Sequence, residues 1–152
     1  MKNDAKTIQL ILNHMIRSLK EIVPFPIDVQ APTMTPEPYV QKELSVLIGL
    51  VGALKGRIVI DTTLETVQNI GQEMFKMAIE EHFVESLSGE IGNMLAGNLC
   101  VGLESDGLVL DISTPTVMTG QAKFHGFGKA ITLPVTIAGE PRMKILIMLD
   151  EE

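Results

Sequence analysis

The sequence predicts an α+β fold, with helices packed on one face of a mostly antiparallel sheet. Three observations predict it. Apolar residues recur at spacings of three and four near the amino terminus and again through the middle of the chain. A near-continuous apolar run at 44–51 is followed by a glycine-flanked turn and a second β-rich segment. The last third alternates apolar and polar residues with a period of two. Helices first, a hairpin, helices again and then strands is the order of a layered α+β domain.

The elements follow in order. Residues 4–23 form a helix whose apolar face is Ile8, Ile11, Leu12, Met15, Ile16, Leu19 and Ile22. Asp4 is placed to cap it, His14 and Arg17 fall on its polar side, and Pro24 and Pro26 end it. Residues 24–42 hold five of the eight prolines and are extended, with a short strand at 27–30. Residues 44–51 suit a strand covered on both faces, and 52–56 turn the chain into a returning strand at 57–61. Thr62 with Glu65 fits a capping box for a second helix, with Leu64, Val67, Ile70, Met74 and Phe75 facing the core. A break at 76–80 leads to a third helix over 81–100, ended by Gly102 and the Ser105-Asp106-Gly107 turn. Strands follow near 108–112, 131–137 and 143–149, while 121–128 is less regular and His125 reads as a strand residue there. Pro134 lacks an N–H to donate, which places its strand near an edge or at a bulge.

Composition excludes several functions. At 152 residues the chain is expected to form one domain, 1–152, around one core. Its 12 basic and 19 acidic residues give a net charge of −7, which disfavours phosphate-backbone binding, so no nucleic acid is expected. No apolar run reaches the ~20 residues needed to span a bilayer, and the amino terminus has no cleavage-site pattern. A cytoplasmic protein with no membrane partner is expected. The single cysteine, Cys100, rules out an intrachain disulfide and reads as a packed thiol. His14, His82 and His125 are too scattered for a zinc site, and Glu81, His82 and Glu85 read as a solvated helix start, so no metal site is expected.

The run SLSGEIGNMLAGN carries the chemistry. At about 100° per residue, Ser86, Glu90, Asn93 and Gly97 share one narrow sector of the helix. Val84, Leu87, Ile91, Leu95 and Asn98 cluster about 120° away, as the stripe to be buried. A carboxylate and a carboxamide thus stand side by side among small residues. Polar pairs at i and i+3 on exposed helix faces are common. An Asn in mid-helix is weakly disfavoured, and the surrounding sequence weighs more.

That surrounding sequence resembles the CheC/CheX/FliY phosphatase family. The family signature is an Asp or Ser, a Glu four residues on, an Asn three further, and a proline some twenty residues downstream. It is matched by Ser86, Glu90, Asn93 and Pro115 within SGEIGNMLAG and DISTPTV. The likeness extends to the hairpin LIGLVGALKGRIVID and covers most of residues 43–149. Ser86 stands where many relatives carry Asp. A second signature on the first helix, as CheC-like members carry, is absent, since no Glu precedes Asn13 and Leu10 stands three before it. The resemblance therefore points to the CheX side of the family.

The resemblance implies hydrolysis of the aspartyl-phosphate of a CheY-like response regulator. Glu90 would pair with the regulator's active-site lysine, and Asn93 would orient the attacking water. Gly89, Gly97 and Ala96 would let the partner's backbone approach, with Ser86 and Pro115 at the binding surface. The chain would need no cofactor of its own, Mg²⁺ belonging to the partner's site. The family also implies homodimers paired through their sheets, with strands 130–138 and 142–149 supplying the edge. A non-catalytic module that sequesters a phospho-receiver or assembles at the flagellar switch would use the same face. A phosphorelay carrier through His14 or His82 is the remaining alternative.

Overall fold

In a computed structural model, the structure describes residues 5–150. Helix α1 (Ala5–Ile22) precedes three short strands, β1 (Ile27–Val29), β2 (Thr33–Pro36) and β3 (Tyr39–Gln41). The hairpin β4 (Leu44–Gly52) and β5 (Gly56–Thr62) leads into α2 (Leu64–Phe75). A 3₁₀ turn (Glu81–Phe83) opens the long helix α3 (Val84–Ser105). Strands β6 (Leu110–Ile112), β7 (Thr116–Thr119), β8 (Ala122–Phe124), β9 (Lys129–Ile137) and β10 (Glu140–Leu149) complete the chain. Asp4, the expected cap of α1, lies outside the described residues.

The main sheet runs β1-β9-β10-β5-β4-β6, with β2 continuing along β9 and β7 continuing along β4. Every pairing in it is antiparallel. Its helix-covered face carries Val46, Ile48, Ile58, Ile60, Leu133, Val135, Ile145 and Ile147, all buried in one core with α1, α2 and α3. The opposite face is smaller. There Val59, Leu146 and Met148 pack beneath Tyr39 and Phe127, and the separate ribbon formed by β3 and β8 contributes Phe124. The predicted architecture of helices on one face of an antiparallel sheet is the one observed.

Local departures have physical causes. The N-cap of α2 is Thr63 rather than Thr62: its hydroxyl accepts from the Thr66 N–H at 3.1 Å. With the cap one residue later, the residue three on is Thr66 rather than Glu65, so the expected capping box does not form, and the Leu64 N–H is taken by Glu43 at 2.6 Å. Phe75 was expected in the core but is 53% exposed. Gly102 does not end α3; it lies inside the helix, where an added Cβ would sit 2.3 Å from His14 Nδ1. His125 falls just after β8 rather than within it.

Strands β9 and β10 also depart from expectation. β10 lies between β9 and β5, and β9 between β10 and the β1/β2 pair, so neither offers a free edge. The Pro134 carbonyl accepts from the Gln30 N–H at 2.9 Å, so its missing donor faces the gap between β1 and β2. The ladder is interrupted there anyway, which is how a proline is accommodated in an inner strand.

Candidate functional site

Helix α3 is held against both other layers. Ile91, Leu95, Leu99 and Leu103 are buried along one side, facing the sheet and α1. An added Cβ at Gly92 would meet Val46 Cγ1 at 2.8 Å, so this glycine sets how closely α3 approaches β4. On the α1 side, Ser18 donates to the Leu95 carbonyl at 2.9 Å, and Asn98 reaches Glu21 at 3.4 Å. Asn98, expected in the apolar stripe, is thus a half-buried polar link between helices. Val84, Ser88, Gly92 and Ala96 complete the buried side.

The opposite side of α3 presents Ser86, Glu90 and Asn93, all exposed. The Ser86 hydroxyl donates to the Phe83 carbonyl at 3.2 Å, a local bond at the start of the helix. Glu90 and Asn93 have no intramolecular hydrogen-bond or ion-pair partner among the described residues. Both are polar groups fixed in place by a packed helix, with their bonding capacity free for a visitor. A cation suits Glu90. Asn93 can both donate and accept, which suits a water molecule.

The neighbouring small residues separate into different roles. Gly97 faces open space, with nothing within 4 Å of an added Cβ. Gly89 instead lies against the sheet, its added Cβ meeting Val117 Cγ2 at 3.3 Å. Ala96, expected on the approachable face, is fully buried in the core. Pro115 is half-buried in the break between β6 and β7. In that break the Ser113 hydroxyl accepts from the Gly49 N–H at 2.7 Å, and the Ser113 N–H donates back to the Gly49 carbonyl at 3.0 Å. Side chain and backbone of Ser113 thus stand in for the missing ladder rung, and carry the chain past Pro115 to Val117 beside α3.

Sequence reasoning missed one constellation. His14 is buried rather than on the polar side of α1, and its Nε2 lies 2.5 Å from Asp106 Oδ2 at the end of α3. The signal was Gly102, a mid-helix glycine that allows the His14 ring to approach. A buried ring whose Nε2 is already engaged is a poor phosphate carrier, which removes His14 from that role. His82 is exposed, 3.4 Å from Glu80, and its ring lies tilted against that of Phe83. Cys100 is half-buried, and burial, reinforced by Asp111, raises its thiol pKa, as for a packed and unreactive thiol. Among the described residues no three His, Cys, Asp or Glu side chains lie close enough to hold a metal. None of the described helices is long and apolar enough to cross a membrane.

Comparison with known proteins finds relatives of the same fold. Residues 44–124 match the model of the family described as "Chemotaxis phosphatase CheX". The chain is 25% identical over 142 residues to the CheY-P phosphatase CheX of Thermotoga maritima, covering 90% of this chain and 91% of that one. It superposes on CheX in the CheX–CheY–BeF3–Mg²⁺ complex from Borrelia burgdorferi with a TM-score of 0.77, at 22% identity over 95% of this chain and 97% of that one. A chemotaxis protein CheX from Desulfovibrio desulfuricans gives the same TM-score, 0.77, at 16% identity over 95% and 99%. The matched segment is more than half of the chain and contains the hairpin, α3 and the Pro115 break, so this protein belongs to the CheX chemotaxis phosphatase family.

Proposed function

We propose that this protein is a phosphatase that hydrolyses the aspartyl-phosphate of a CheY-like response regulator in chemotaxis signalling. The observation that carries this reading is the pair Glu90 and Asn93, side by side on the exposed face of an immobilised helix and without partners among the described residues. Membership of the family supports it. So do the relative from Thermotoga maritima, a CheY-P phosphatase, and the solved complex of CheX with CheY from Borrelia burgdorferi.

The chemistry follows from what these groups can and cannot do. Glu90 pairs with the receiver's active-site lysine and sets the register of docking. Asn93 enters the receiver's site, where its carboxamide holds a water in line with the bond to be broken. The water oxygen attacks phosphorus, the bond from phosphorus to the aspartyl oxygen breaks, the aspartate leaves as a carboxylate, and the water's proton departs on the inorganic phosphate. A carboxamide cannot accept the water's proton near neutral pH, but phosphoryl transfer depends mostly on positioning and charge neutralisation. Mg²⁺ belongs to the partner's site. Ser86 and Gly97 border the docking surface, while Gly89 and Pro115 act from behind it, fitting α3 against the β6–β7 break.

The test is release of phosphate from a large excess of phospho-receiver by catalytic amounts of protein. Asn93→Ala is expected to lower turnover by ~100-fold or more, since misplacing a reactant by about 1 Å costs that much. Its circular dichroism should not change. Wild-type turnover in Asn93→Ala would refute the mechanism. Stoichiometric protection of the phospho-receiver without turnover would establish the sequestering module instead.

The remaining readings are proposals of the same kind. The chain acts as one domain, 1–152, in the cytoplasm. It pairs into a homodimer, for which β9 and β10 offer no edge and the outer strands β1/β2 and β6/β7 do. Light scattering on the purified protein tests the last of these.

A further inference from the structure

An open groove of about 410 Å³ adjoins Glu90. Its walls are Met77 and Phe83, which are 63% and 55% exposed. Ile79 and Leu87 form its floor, and Glu80, Ser86 and Glu90 stand around it. The groove is built by the surrounding chain rather than left by a loose loop. Gly71 lets Leu87 come close, since an added Cβ there would lie 2.3 Å from Leu87 Cδ2. Gln68 anchors the loop by donating to the Ile79 carbonyl at 2.6 Å. The His82 ring packs on Phe83 with centroids 4.1 Å apart, steadying the exposed wall.

Two large apolar side chains kept in water beside a polar pair mark an interaction surface. The lining contains two carboxylates and no cation. This charge selects a basic partner segment, and the chain's own charge of −7 adds to that selection. We propose that this groove seats an apolar side chain of the phospho-receiver, next to the cation that pairs with Glu90, and so determines which receiver is accepted. The inference rests on the phosphatase reading above. It adds an apolar anchor to a site otherwise made of one carboxylate and one amide, and buried anchors of this kind carry most of the binding energy at protein interfaces.

The experiment is steady-state phosphate release at varied phospho-receiver concentration with Phe83→Ser, Met77→Ser and, as control, Val109→Ser. Val109 is equally exposed but lies beyond the far end of α3. The expected result is a KM raised about thirtyfold for the two groove variants with kcat within about twofold, the size of one lost hot-spot contact. Phe83→Leu should restore much of the KM, and Val109→Ser should leave it unchanged. Wild-type KM in both groove variants, with Asn93→Ala inactive, overturns the groove inference and leaves the phosphatase reading standing. Should the wild-type protein lack turnover, that reading fails. Calorimetric titration with the phospho-receiver then decides the groove on its own, equal affinity of wild type and Phe83→Ser overturning it. Loss of self-association in Phe83→Ser at unchanged KM would assign the groove to a second copy of the chain and also overturn the inference.

Discussion

Gly92 and Gly97 stand five residues apart on the same helix and do opposite things. A methyl at Gly92 would press on Val46 Cγ1, a stiff β-branched side chain in the core, whereas a methyl at Gly97 would meet nothing. Glycine costs a helix interior about 1 kcal/mol relative to alanine. At Gly92 that cost lets α3 approach the sheet; at Gly97 the folded chain gains nothing from it. Gly97→Ala is therefore expected to stabilise the free protein by about 0.5–1 kcal/mol in denaturant titration. It should also raise KM for the phospho-receiver, because Gly97 lies in the sector of Glu90 and Asn93. Gly92→Ala is expected to destabilise by about 1–3 kcal/mol from overpacking, less the gain in helix propensity. The same residues mark the limit of sequence reading at this scale. Glu90, Asn93 and Gly97 were legible because helical geometry alone places them on one face. Whether Gly89 and Ala96 faced a partner or the protein's own sheet depended on where β7 and the core lie, which helix periodicity does not encode.

Among the elements, the contact between α1 and α3 was the least legible. Periodicity assigned α1 its apolar residues correctly, yet His14 sat among polar neighbours and was placed with them. A glycine late in a helix is ambiguous in sequence, since it either ends the helix or admits a neighbour. Here Gly102 admits the His14 ring, and α3 continues to Ser105, where Asp106 closes on His14 Nε2. The end of the helix that bears the site is thus tied to the first helix of the chain. Removing the acceptor leaves a buried ring nitrogen unsatisfied, which costs about 1–3 kcal/mol. Asp106→Ala is expected to lower stability by that amount in chemical denaturation. It should leave kcat for phosphate release unchanged, because Asn93 lies more than three turns away. A fall in kcat greater than the loss of folded protein would mean that the α1–α3 contact also sets the orientation of the Asn93 face.

Taken as a whole, the molecule has a large helix-covered face and a small second face, and only the first was legible in the sequence. The alternation along β4, β5, β9 and β10 identified the strands. It could not identify the order in which they pair, and so β9 and β10 were expected to supply an edge although both are interior. The second face is closed by residues from the proline-rich segment that read simply as extended chain. Glu37 accepts from the Phe127 N–H at 2.8 Å, a backbone bond that holds its carboxyl pKa below the ordinary range. Tyr39 donates its hydroxyl to Asp61. Burial raises the Asp61 pKa, outweighing the opposing effects of the Tyr39 hydroxyl, Lys144 and Lys42. An acid whose pKa is raised on folding favours the folded state in its protonated form. Its contribution is complete below the unfolded carboxyl value of about 4 and is lost as pH rises through the folded value. At neutral pH the Asp61 charge is therefore a net cost to folding. Asn in its place still accepts from Tyr39 and carries no charge. Asp61→Asn is expected to be more stable than wild type at neutral pH, the difference closing as pH falls toward about 4. Denaturant titrations of both proteins across that range provide the check. A variant less stable than wild type at neutral pH would mean that attraction to Lys144 and Lys42 exceeds the burial penalty.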